Sequence, residues 1–190
     1  MKRLHQTVLI VSFIPLCWFA MMGVHEAGHV LAGWLTGGEV QKVVLHPLAI
    51  SRTDVEPNPQ PLIVVWSGPV LGITLPVLLW VIFNFAKIRG EYLPRFFAGF
   101  CLIANGAYIG VGSFDRIGDA GEMLKLTSPI WTLWLFGLLT IPLGFWLWHR
   151  QGIYFGLGES QGKVEINAAY VSLLSLIFSL ILLFSLSPRS

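Results

Sequence analysis

Five stretches of the chain carry no Asp, Glu, Lys or Arg: 4–25, 57–86, 96–114, 126–149 and 166–188. Each approaches or exceeds the roughly 20 residues that a helix needs to cross a bilayer. The charged residues therefore divide the chain into five predicted spans. The first is expected to run on to about Thr36, where Gly37-Gly38 stops it. Residues 39–60 read differently. They partly alternate apolar and polar positions, are rich in β-branched residues and end in a Pro-rich stretch. That pattern predicts a short β-hairpin at the membrane surface, although an ordinary interfacial loop fits the same stretch. A strand edge there is available to pair with an extended segment of another chain.

Pro61 opens the second span, and Ser67-Gly68-Pro69-Val70-Leu71-Gly72 is expected to interrupt it with small residues and a kink, chiefly for close packing. The third span carries Asn105-Gly106. The fourth has Trp131, Trp134, Trp146 and Trp148 near its ends, as interfacial belts do. The fifth, Ile166 to Leu186, reads as a packing helix. The fold class predicted is an all-α polytopic membrane protein of about five transmembrane helices, with a short membrane-surface β-hairpin after the first. No repeat or linker breaks it. Residues 1–190 read as a single integral membrane domain, with a core of about 7–126 and accessory spans at about 127–188.

Composition agrees. Hydrophobic residues make up 55% and charged residues 12%, against about 25% charged in soluble proteins. The partner implied is the lipid bilayer, and the location a multi-pass protein of a cell membrane. A net charge of +2 without a basic run gives no footing for nucleic acid. Cys17 and Cys101 sit in apolar segments and read as buried small hydrophobes rather than a disulfide or thiol catalyst. Met-Lys-Arg before an apolar run also has the outline of a signal peptide. Its apolar part is too long, lacks an A-x-A-like site and runs into the motif below, so it is expected to be retained.

That motif is His25-Glu26-Ala27-Gly28-His29. Helix positions i and i+4 share a face, so both imidazoles can address one metal ion. H-E-x-x-H is the zinc-hydrolase signature, with two His ligands and the Glu as general base. Ionisable groups inside a span are expensive, which makes this cluster a functional hypothesis by default. A catalytic zinc usually has three protein ligands plus water. His5 and His149 lie at span ends and read as interfacial; His46, before Pro47, is a weak candidate. Asp115 and Asp119, just after the third span, are better placed. Ala120-Gly121 lets the chain at Asp119 approach an ion closely. Asp119 could instead N-cap a short helix at 120–126.

With Asp119-Ala120-Gly121-Glu122-Met123-Leu124 following the H-E-x-x-H span, the chain resembles the site-2-protease family of intramembrane zinc metallopeptidases. Ala120 stands where that family's Asp-Gly-Gly pattern has its first Gly. Ser67-Gly68-Pro69 is similar to the family's small-Gly-Pro element, and the resemblance covers about residues 20–126. It implies Asp119 rather than Asp115 as third ligand beside His25 and His29, Zn²⁺ as cofactor and Glu26 as the base. It also implies that Asn105 engages the substrate backbone. Asn105 lies fourteen positions before Asp119, without the usual Pro-rich run between them. The expected activity is hydrolysis of peptide bonds within or next to a transmembrane segment of a membrane-protein substrate. A regulatory membrane partner or a homo-oligomer is also implied.

Span parity puts the loops after spans one and three on the same face, which a shared site requires. The positive-inside rule favours a cytoplasmic N-terminus by seven Lys and Arg to five; the family's cytoplasmic catalytic side would place it outside. The alternative reading is a non-proteolytic membrane metal-binding or transport protein, or an inactive protease relic. Spans four and five lack the midplane ionisable residues expected of a transporter.

Overall fold

The computed structural model describes residues 2–186. The uncharged windows become five long helices: α1 (Lys2–Leu35), α2 (Pro61–Phe85), α3 (Tyr92–Asp115), α5 (Ile130–Trp148) and α6 (Ile166–Leu186). All five are long and apolar enough to cross a membrane. A short helix, α4 (Gly118–Lys125), follows α3, and two 3-10 turns lie between α5 and α6. The protein is thus an all-α polytopic membrane protein with one small hairpin.

α1 ends where the glycines require it. Gly37 takes φ +79°, and the Gly38 N–H returns to the Gly33 carbonyl at 2.8 Å, the left-handed ending that glycine permits. The chain then forms an antiparallel hairpin of β1 (Val40–Val44) and β2 (Arg52–Val55), with Val43 opposite Thr53 and an irregularity between Val40 and Lys42. Val55 packs onto Gly33 and Gly38, which seats the hairpin on the end of α1.

α1, α2 and α3 form the centre, with α1 and α3 each packed on α2; α5 packs along α3 and α6 along α1. The α1–α6 side is closed by Leu9, Phe13 and Cys17 meeting Tyr92, Phe155, Ala168 and Ala169. A second cluster joins Val65 of α2, Ile109 of α3, Leu133 of α5 and Ala120 and Met123 of α4. Through it the short α4 is anchored against the bundle by two fully buried apolar side chains, and its first turn is held at a fixed position.

One expectation changes. The Ser67–Gly72 segment does not interrupt its span: α2 continues through Pro69 and Pro76, and the small residues serve as a contact face. Trp148, at the end of α5, stacks on Phe96 with centroids 4.8 Å apart and donates its indole N–H to the Phe96 carbonyl at 2.9 Å, pinning α5 to α3. Trp131 and Trp146 remain exposed, as an interfacial position requires.

Candidate metal centre

His25 and His29 project from α1 one turn apart, their ring centroids separated by 4.9 Å. Opposite them stands Asp119, in the first turn of α4. Its Oδ2 lies 2.7 Å from His25 Nε2 and 3.3 Å from His29 Nε2. Both histidines are buried, while Asp119 keeps a fifth of its side chain exposed. Among the described residues this is the group of His, Cys, Asp or Glu side chains whose ligand atoms converge.

The remaining ring nitrogens are spoken for. His25 Nδ1 lies 2.7 Å from Asn105 Oδ1 on α3, and His29 Nδ1 lies 2.8 Å from the Val64 carbonyl on α2. Both partners only accept, so both Nδ1 atoms carry a proton, and in the neutral rings both Nε2 atoms present lone pairs towards the Asp119 carboxylate. Three acceptors facing one point suit a cation between them. The buried His25-His29-Asp119 group can hold a metal ion in this way.

α2 supplies the floor. The Gly28 position on α1 packs on the Ser67 carbonyl, and Gly68 lies beneath the two imidazoles. A Cβ on Gly68 would run into His29 Nε2 and His25 Nε2. Glycine at 68 thus keeps a cradle open, which fits an ion held there. Tetrahedral zinc bonded at about 2.0–2.1 Å sets its ligand atoms roughly 3.3 Å apart. The His29–Asp119 gap of 3.3 Å has that width, and the His25–Asp119 gap of 2.7 Å would have to open by about 0.6 Å.

No family model, curated protein or solved structure matches the chain.

Asp119 does not N-cap α4 as one reading expected. Ile117 occupies that position, and the Asp119 N–H, an orphan donor of the first turn, is received by the Tyr108 hydroxyl at 3.0 Å. Asp115, the other candidate ligand, is exposed at the end of α3 and outside the cluster. His46 is outside it too; it is buried, receives the Leu48 N–H at 3.2 Å and stands edge-on to Phe184.

Glu26 is 3% exposed. Its Oε2 accepts the Thr53 hydroxyl of β2 at 2.8 Å, so the hairpin fixes the carboxylate. Asn105, 1% exposed, is drawn into the site behind His25, and its Nδ2 donates to the Cys101 carbonyl at 2.9 Å. His25, Glu26, His29, Asn105 and Asp119 all line one cavity of about 1250 Å³. Its walls are Trp18, Met21 and Met22 of α1, the hairpin from Pro47 to Glu56, Tyr108 of α3, and α4.

Sequence reading missed four contributors: Thr53, the Val64 carbonyl, the Gly68 floor and Tyr108. A signal existed for Tyr108. Cys101, Asn105, Tyr108 and Gly112 fall at i, i+4, i+7 and i+11, one face of α3.

Proposed function

We propose that this chain is an intramembrane zinc metalloprotease of the site-2-protease type, acting in a cell membrane on peptide bonds within or next to a transmembrane segment. The observation that carries the reading is the convergence of two lone-pair-bearing Nε2 atoms and one carboxylate beside a buried, separately anchored Glu26. His₂-carboxylate is a known donor set of catalytic zinc, which leaves a fourth position for water. Bound zinc lowers the pKa of such a water to about 7 and polarises a carbonyl.

The chain's own groups do the rest. Glu26 takes a proton from the water, and the water oxygen forms a bond to the scissile carbonyl carbon. The C–N bond breaks as that proton passes from Glu26 to the departing nitrogen, leaving a carboxyl terminus and an amine. His25 and His29 keep their tautomers through Asn105 and Val64. The hairpin lines the cavity, and among the described residues β2 pairs with β1 alone. A substrate segment unwound to an extended form can therefore add alongside β2.

The deciding experiment is the metal content of the detergent-purified protein by mass spectrometry, followed by cleavage of a pool of single-span peptides in liposomes. The wild type is expected to hold about one zinc per chain and to cut at least one peptide. His25→Ala and Asp119→Ala lose the metal, Asp115→Ala keeps it, and Glu26→Gln keeps zinc but cuts nothing. A protein that holds zinc yet cuts no peptide would favour the non-proteolytic metal-binding reading. Cleavage that survives Glu26→Gln would remove Glu26 as base.

A further inference from the structure

Hydrolysis of an amide places negative charge on the former carbonyl oxygen, and donors aimed at that oxygen are among the largest contributors to rate. Three neutral side-chain donors near the proposed ligands are already committed. Asn105 is committed on both ends, to His25 and to the Cys101 carbonyl, and is 1% exposed. The Thr53 hydroxyl is given to Glu26. Ser67 donates to the Val64 carbonyl at 2.5 Å. Tyr108 differs from all three. Its oxygen accepts the Asp119 N–H at 3.0 Å, which occupies a lone pair and leaves its own proton to donate. Its ring stands edge-on to His25 with centroids 5.8 Å apart, and the residue is 38% exposed on the wall of the same cavity. Gly118, at φ +51°, lies directly against the hydroxyl, where any side chain would displace it.

We infer that Tyr108 is a catalytic residue of the proposed hydrolysis, whose phenolic O–H donates to the oxyanion that forms on the substrate carbonyl. The phenol touches the backbone of Asp119 and the ring of His25, which puts it at the rim of the proposed centre. The hydroxyl stays neutral: the proton is shared with the oxyanion, remains on Tyr108, and the pair separates when the C–N bond breaks. This inference rests on the protease reading.

The test is Tyr108→Phe in the full-length protein, which removes one oxygen and leaves the ring against His25. Three quantities are measured: zinc per chain, kcat and KM separately on a cleaved single-span peptide in liposomes, and the affinity of a phosphinic peptide whose tetrahedral P–O⁻ imitates the hydrated carbonyl. The expected result is unchanged zinc, KM within about twofold, and kcat lower by about 10²–10³, the usual effect of deleting one such donor. The phosphinic peptide should bind at least about tenfold more weakly. A kcat within twofold of wild type overturns the inference and leaves the protease reading intact. Loss of zinc assigns the hydroxyl to holding Asp119 in place and overturns it as well. A wild-type protein that holds zinc and cuts no peptide overturns the protease reading, and the Tyr108 role with it.

Discussion

Asn105 Oδ1 lies 2.7 Å from His25 Nδ1, although 80 residues separate them in the chain. The amide orientation follows from its other end. The Cys101 carbonyl at 2.9 Å can only accept, so Nδ2 must face it and Oδ1 must face the imidazole. His25 is then fixed as the tautomer with its proton on Nδ1 and its lone pair on Nε2, the form a metal requires.

Replacing Asn105 by Ala removes that lock. Zinc affinity should fall by about 10- to 100-fold, the usual effect of losing a group that orients a ligand, while His25, His29 and Asp119 remain. Competition against a calibrated chelator measures the constant. An unchanged affinity would mean that the α1 backbone alone sets the imidazole and that Asn105 acts elsewhere.

Gly68 offers a sharper test, because the interference is steric. The Gly68→Ala side chain would sit against both Nε2 atoms, and α2 cannot retreat easily: the Gly28 position already packs on the Ser67 carbonyl. The substitution improves helix propensity by about 1 kcal/mol, so the fold should survive. The expected outcome is a folded, helical protein without zinc. Circular dichroism and metal analysis on the same sample check both halves. Full zinc occupancy in Gly68→Ala would show that the ion lies away from the α2 floor.

The spans were legible because charge is excluded from hydrocarbon, and the uncharged windows match the five long helices. His25, Glu26 and His29 were legible because helix period alone puts i and i+4 on one face. Asp119 could be singled out among carboxylates only through the small residues after it. What holds these groups was not legible. The Val64 carbonyl carries no residue-type signal at all, since every backbone has one. Thr53 and Asn105 act across chain separations of 27 and 80 residues, which depend on where helices cross. Ser67–Gly72 invited the wrong local conclusion for a related reason. Gly and Pro report helix breaking in isolation, whereas in α2 they report how closely α1 and α3 approach: Gly68 lies under the imidazoles and Gly72 against the Asn105 amide.

The α3–α5 contact should govern stability more than chemistry. Gly106 makes room for the Thr140 side chain, and Gly137 lies against the Gly106 carbonyl and Gly110, so the two helices approach closely. Gly106→Val would push α5 outward, and overpacking of this kind costs about 1–3 kcal/mol. The unfolding temperature in detergent should drop by several degrees. Zinc content should be retained, because the ligands lie on α1 and α4. Simultaneous loss of zinc would show that α5 also sets the position of α3 behind His25.

Thr53 links the hairpin to Glu26, the proposed base. Its hydroxyl is 2.8 Å from Glu26 Oε2, and the same strand lines the cavity. A hydrogen bond to a charged group contributes about 1.5–3 kcal/mol. Thr53→Val keeps the shape and the β-branching but leaves the carboxylate free to rotate away from the water. The proposed mechanism then predicts kcat reduced by about tenfold or more, with zinc unchanged and KM little affected. Thr53→Ser, which keeps the hydroxyl, should restore most of the rate. The pair separates orientation from packing: a strand that mattered only as a wall would tolerate Val and Ser alike. A defect in Thr53→Ser with a normal rate in Thr53→Val would trace to the γ-methyl, and the hairpin would then act on substrate rather than on Glu26.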